Sequence, residues 1–351
     1  MRCNQPATDR LTIESRGGVR QHVGPTPASN GETLMALRKE QAPHSSNTPP
    51  RRAFERLRAP SFKRREQLTG YAFVAPQLLG VILVSVLPIL QVIWLSFNSV
   101  NAFTGASTFA GLDNYERMVN DEALLGVLGT TAIYVAGLTV LGVALAVFLA
   151  VLVNKRLRGI NIFRGIFFVP ALVTLAAWTL SWNLALQPGG IVEGFFASVG
   201  VDAPNWLNEP GWALATVIVL QGLKNVGINM MVVLAALQAV PAELEEAARL
   251  DGAGSTRIFW RITLPTISPS VFMVAILMLV GSFKAFEQVY LLTGGGPGRS
   301  TTVLSYYIYV RAFVESDIGF ASALATLLFV IVMILTAVFW AARRKFVHYE
   351  E

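Results

Sequence analysis

Charged side chains inside apolar runs are the residues of this sequence best placed to do chemistry. Lys224, Lys284 and Glu287 each fall within a long hydrophobic stretch, where an ionisable group is costly and ordinarily faces a bundle interior or a wet cavity. Lys284 and Glu287 are three residues apart, on one face of a helix. Gln221, Asn225 and Asn229 recur at every fourth position and give a helix there a polar stripe. One reading is a translocation pathway lined by the fourth and fifth helices, able to hydrogen-bond a hydroxyl-rich solute. The other is a structural Lys–Glu pair with interhelical hydrogen bonds, and both stay open. Phe286 and Tyr290, four apart, can add apolar contact to a sugar ring, although packing on a neighbouring helix is the ordinary role of such rings. Trp178 and Trp182 share a face of the third helix and read as packing against lipid or a partner.

A second constellation lies between two apolar runs. Residues 241–265 read PAELEEAARLDGAGSTRIFWRITLP, a pattern of two short helices. Pro241 suits a first helical turn, where its missing N–H costs nothing. Glu243 and Glu245 favour the positive end of that helix. Leu244, Ala247 and Ala248 share one face, and the alanines leave it thin enough for another protein to approach closely. Asp251-Gly252 marks a turn, because glycine takes positive φ without steric cost. Ser255 or Thr256 can cap the second helix, and Pro265 and Pro269 set the approach to the next apolar run. By periodicity alone the segment is an ordinary amphipathic loop helix.

Other chemistries are poorly served. The histidines are His22, His44 and His348, all near the termini, and the one cysteine is Cys3. Histidine catalysis, a zinc site and a disulfide framework within the folded part are excluded on that ground. There is no paired-carboxylate or Ser/His/Asp set at useful spacing, so no enzymatic site, no metal and no cofactor is expected. The stretch TGGGPGRST at 293–301 fails as a phosphate-binding loop: Thr293 stands where the first glycine belongs and Arg299 where lysine is required. It reads as a flexible external turn, and any ATP is handled by another chain.

The elements that must position these residues follow from composition. The 351 residues are 53% hydrophobic and only 14% charged, against about 25% charged in soluble domains. Residues 1–66 hold thirteen Lys/Arg against six acids, are rich in Pro, Ser, Asn and Gly, and read as a disordered basic cytoplasmic leader without a signal-peptide core. Anionic lipid suits that charge better than nucleic acid, since Phe54 and Phe62 are its only interleaved aromatics. From residue 67 to 348 the chain reads as a transmembrane domain. Six runs, at 71–97, 130–153, 166–186, 213–237, 271–292 and 321–341, meet the length of about 20 apolar residues that a membrane crossing needs. Lys63, Arg64 and Arg65, then Lys155, Arg156 and Arg158, then Arg249, Arg257 and Arg261, then Arg343, Arg344 and Lys345 fall in alternate loops. The excess of Lys/Arg marks these loops and both termini as cytoplasmic. No internal repeat is evident, which counts mildly against transporters built from inverted repeats.

The loop at 241–269 resembles the EAA signature of ABC importer permeases, on Glu246, Ala247, Ala248, Asp251, Gly252, Ala253, Ile262, Leu264 and Pro265, with Phe259 and Pro269 also in pattern. Residues 111–115 (GLDNY), 164–170 (RGIFFVP) and 288–297 (QVYLLTGGGP) are similar to the carbohydrate-uptake branch, maltose and glycerol-phosphate types, and to its first permease. The resemblance implies a six-helix type I (MetI-like) permease of the bacterial inner membrane, paired with a second homologous permease, a cytoplasmic ATPase dimer and an extracytoplasmic solute-binding protein. It implies that 241–269 is a coupling helix docked in a cleft of the ATPase, with Glu246 facing a basic group there and Gly252 supplying the turn. It also implies alternating access driven by ATP. The large external insert of the maltose-type member is missing. The external loops 187–211 and 293–320 are the segments expected to meet the binding protein. An ion-coupled secondary transporter, with Lys224, Lys284 and Glu287 as a relay, is the competing reading; it has no need of the loop.

Overall fold

In the computed structural model, which describes residues 60–101, 104–155 and 158–346, helix opens at a proline. Helix α1 (Pro60–Val81) passes through a wider π-helical turn, Ile82–Val86, into α2 (Leu87–Leu95). It begins inside the segment expected to be a leader, whose residues 1–59 lie outside the described residues, as do Cys3, His22, His44, Arg156 and His348. Between Phe73 and Val86 no side chain is buried, and Phe73, Leu83 and Val84 are among the large apolar residues left open. α2 lies against the last helix: Pro88, Ile89 and Val92 face Ala325 and Phe329 across a shallow cleft.

A ribbon of β1 (Asn98–Val100) and β2 (Ser107–Phe109) and the short α3 (Asp113–Val119) follow. The GLDNY residues make this corner. Gly111 takes φ +61°. Asn114 is buried and donates to the carbonyls of Ser96 and Asn98, both at 3.0 Å, while the Tyr115 and Ser96 hydroxyls meet at 2.7 Å. α4 (Glu122–Val153) is capped by Asp121, which accepts from the Ala123 N–H at 3.0 Å.

The core forms where α4 packs against α8 (Pro210–Gln238) and α12 (Ser268–Ser282). Tyr134, Leu138, Ala146, Ala150, Met230, Val233 and Val274 fill it. α5 (Ile160–Leu172) lies against α8 so closely that a Cβ built on Gly227 would stand 2.3 Å from the Phe167 carbonyl oxygen. Small residues at such crossings let backbones meet without lipid between them.

Four helices, Thr69–Leu95, Glu122–Val153, Pro210–Gln238 and Ile318–Ala342, are each long and apolar enough to cross a membrane. The remaining two runs are broken. α5 and α6 (Leu175–Leu186) meet at 98°, and the stretch 255–266 meets α12 at 68°. The run at 271–292 is not one helix either: α12 stops at Ser282, and α13 (Phe286–Leu292) restarts beyond Phe283, Lys284 and Ala285. The fold is an all-α, multi-span membrane fold apart from the two-stranded ribbon, with four spans unbroken and up to six if each bent pair counts as one. A short α7 (Ile191–Ser198) sits between α6 and α8.

Candidate functional site

The loop after α8 folds as two helices joined by a tight turn. Pro241 is extended (φ −60°, ψ 129°) and precedes α9 (Ala242–Leu250) as its N-cap instead of occupying its first turn. The C-terminus closes in a Schellman motif: the Ala253 N–H donates to the Ala248 carbonyl at 2.9 Å, and the Gly252 N–H to Arg249 at 3.0 Å. Gly252 takes φ +78° there, a conformation in which a Cβ is strained. α10 (Ser255–Ile258) has Gly254 at its N-cap with no side-chain hydrogen bond, so the cap expected from Ser255 or Thr256 is not made; Ser255 is already the first helical residue. A π-helical turn, Phe259–Thr263, leads into α11 (Leu264–Thr266), with Pro265 in its first turn.

The two helices are tied by Glu245. Its carboxylate accepts from the Thr263 hydroxyl at 3.3 Å and pairs with Arg249 at 3.5 Å. Ala248 is buried and Ala247 exposed, so the two alanines point to different environments. Glu243, Glu246, Ala247 and Leu250 form the open strip, with Leu250 89% exposed at its end. Asp251 and Gly252 are also exposed; Ala253, Ile262, Leu264 and Pro265 are half-buried.

The polar residues of the membrane helices divide into two sets. Lys224 is 9% exposed, and its Nζ donates to the carbonyls of Val173 (2.6 Å) and Pro170 (3.1 Å). These carbonyls lie at the C-terminal end of α5, where the 98° break leaves them without helical partners, and a cation suits that end of the helix dipole. Asn229 is buried against the Met278 sulfur at 2.9 Å. Gln221 is half-buried and lines a small enclosed space with Trp178, Thr179 and Gln288. Asn225 is half-buried, whereas Lys284 and Glu287 are exposed. Trp178 turns inward as well, donating from its indole N–H to the Leu220 carbonyl at 3.2 Å.

Several joints were invisible in spacing alone. Gln288, from QVYLLTGGGP, accepts the Tyr134 hydroxyl at 2.9 Å in the core. Arg164, from RGIFFVP, donates to the Val153 carbonyl at the end of α4 at 2.9 Å. The glycine turn at 293–301 is pinned where flexibility was expected: hydroxyls of Tyr306, Thr302 and Thr301 donate to the carbonyls of Gly294, Gly295 and Gly296 at 2.9, 2.9 and 2.8 Å. These contacts use its carbonyl groups, where a phosphate loop would present N–H groups. Beyond it lie α14 (Leu304–Tyr309), a π-helical turn Val310–Val314, and α15 (Ile318–Phe346). Arg311 bridges Tyr307, Asp121 and Glu315 there, and Arg117 pairs with Asp317.

A multi-span helical fold with an exposed EAA-type helix-turn-helix after its fourth apolar run defines a transport permease, and the chain belongs to the family of binding-protein-dependent transport system inner membrane components, whose sequence profile matches residues 142–344. It is 33% identical over 292 residues to the probable ABC transporter permease protein YesP of Bacillus subtilis (strain 168), covering 82% of this chain and 94% of that one. It is 33% identical over 276 residues to the sn-glycerol-3-phosphate transport system permease protein UgpA of Escherichia coli, covering 78% and 93%. The crystal structure of a bacterial alginate ABC transporter in complex with an alginate pentasaccharide-bound periplasmic protein shares the fold, at TM-score 0.70 and 22% identity, covering 80% and 96%. The chain is a membrane permease subunit of an ABC importer, and ATP hydrolysis falls to a separate subunit. This membership removes the ion-coupled secondary transporter.

Proposed function

We propose that the chain is one of two homologous permeases that carry a hydroxyl-rich solute, a sugar or polyol, across the bacterial inner membrane. In this reading it crosses six times, each bent pair counting as one MetI-like span, with both termini in the cytoplasm as the Lys/Arg excess requires. A second permease covers the open apolar length of the first helix, an extracytoplasmic solute-binding protein delivers the solute to loops 187–211 and 293–320, and a cytoplasmic ATPase dimer receives the loop 241–269.

The observation that carries this reading is the closed helix-turn-helix with Glu246, Ala247 and Leu250 uncovered. A load on α9 passes through Glu245 to Thr263, and from there through a single bend at Ile267 into α12. ATPase closure would therefore tilt α12 and the Lys284–Glu287 segment beyond it. Lys284, Glu287 and Asn225 are the residues proposed to line the pathway. Lys224 and Asn229 support it from behind by holding α8 to α5 and α12, and Gln221 faces the small space beside Trp178. The solute class rests on relatives whose names give glycerol phosphate and alginate. Uptake of labelled sugars and polyols by the complete transporter tests this: Asn225→Leu and Glu287→Leu should assemble at normal levels and fail to transport. Unimpaired uptake in both variants would overturn the pathway assignment.

A further inference from the structure

An apolar cavity lies between α6, α7 and α8, along the half of α8 away from α9. It measures about 260 Å³, and Trp182 of α6, Phe196 of α7, Trp206, and Trp212, Val219 and Leu223 of α8 line it. Beyond the indoles its one polar side chain is Thr216, whose hydroxyl already donates to the Trp206 carbonyl at 3.3 Å. A hydroxyl-rich solute would lose its hydrogen bonds against such a wall. The rings run on edge to face, Phe196 to Trp206 at 5.8 Å and Trp206 to Trp212 at 5.2 Å. α7 is apolar on two sides. Val192 and Phe196 turn to the cavity, while Ile191 and Phe195, one turn apart, are 83% and 67% exposed. Val219 and Leu223, 44% and 37% exposed, open the cavity onto the flank of a helix long and apolar enough to cross a membrane. A short helix of this kind beside a tryptophan-rich span end belongs where hydrocarbon meets headgroups.

A second pocket of about 190 Å³ adjoins this cavity, shares Leu186 and Trp206 with it, and has Glu193, Asn205 and two prolines in its wall. One oxygen of the Glu193 carboxylate accepts from the Gly189 N–H at 2.6 Å. No Lys or Arg occurs between Arg164 and Lys224, where Glu193, Asp202 and Glu209 are the only charges. From this pairing we infer a phospholipid site: one acyl chain lies in the apolar cavity, and a headgroup bearing an ammonium lies in the adjoining pocket beside Glu193. The wall selects hydrocarbon, since the transfer of each methylene from water is favourable and no polar group is left unpaired. The acidic rim selects the head, because a carboxylate attracts an ammonium and repels a lipid of net negative charge. A chain seated there holds α7 against α6 and α8. The site requires only that α8 cross the membrane, so it stands or falls apart from the solute pathway.

The test uses the complete transporter in phosphatidylglycerol nanodiscs, with ATPase activity of the same particles as the check on assembly. A trace of phosphatidylethanolamine or of phosphatidylglycerol carries a photoactivatable diazirine in one acyl chain, and adducts are mapped by peptide mass spectrometry. The ethanolamine probe should form adducts on 182–186, 192–196 and 212–223 in about threefold to fivefold excess over the glycerol probe, the size of effect that an exposed ion pair gives. Glu193→Gln, which keeps an acceptor for the Gly189 N–H, should bring the two probes level. Val219→Trp, which fills the mouth of the cavity, should cut adducts from both probes by about threefold or more, as loss of several buried methylenes does. Equal adducts from the two probes in wild type, or adducts that Val219→Trp leaves unchanged, overturn the site and show lipid passing over an ordinary surface. Absence of adducts on all three segments means that a protein partner fills the cavity, and overturns it as well.

Discussion

At the residue scale, two positions do work that spacing foretold only in part. Gly252 was legible: Asp-Gly after a short helix announces a turn, and the structure places it at φ +78° at the close of α9. Gly252→Val should cost about 1–2 kcal/mol of loop stability through the left-handed strain. It should lower solute uptake while leaving the chain in the membrane, measured by transport alongside immunoblot of the membrane fraction. Lys224 was legible only as a charge in an apolar run. Its partners, the Pro170 and Val173 carbonyls, come from a helix break more than fifty residues earlier, and no local pattern announces such a pairing. Lys224→Met should leave carbonyls unpaired at about 1–3 kcal/mol each, lowering the melting temperature of the purified complex. A variant as stable as wild type would show that the ammonium does not brace the break.

At the scale of elements, apolar length located the helices but concealed where they stop. Three runs, at 130–153, 213–237 and 321–341, reappear inside α4, α8 and α15. The break after Leu172 had a faint signal in Pro170 and in Thr174, whose hydroxyl caps α6 by accepting from the Ala177 N–H at 3.4 Å. The break at Phe283–Ala285 coincides with Lys284, between Gly281-Ser282 and Glu287-Gln288, but charges in an apolar run read as polar lining and do not announce a helix end. Contacts between distant elements were equally unreadable. Gly227 looks interchangeable with alanine in a helix, yet it is where α5 and α8 touch. Gly227→Ala should cost about 1–3 kcal/mol by overpacking and reduce the amount of chain accumulating in membranes, whereas Gly211→Ala, whose Cβ meets nothing within 4 Å, should not. Asp121 is a second such joint. It caps α4 and also accepts from Tyr307 and Arg311. Asp121→Ala should therefore lose about 0.5–2 kcal/mol from the cap alone and loosen α14, read as faster amide exchange across 304–309.

At the scale of the molecule, two surfaces of the chain lie open. The apolar first helix lies open between Phe73 and Val86, and α9 presents Glu246, Ala247 and Leu250 with nothing upon them. Class was legible because hydropathy acts over whole segments. Which side chains face the pathway was not, because that depends on helix rotation and on the breaks. The reading that joins these surfaces, a loop that carries the motion of an ATPase into α12, is tested most directly by purification of the tagged chain from native membranes. Wild type should bring down an ATPase and a second permease together. Leu250→Arg should lose the ATPase while retaining the second permease, with transport abolished. ATPase retained and uptake undiminished in Leu250→Arg would contradict the account.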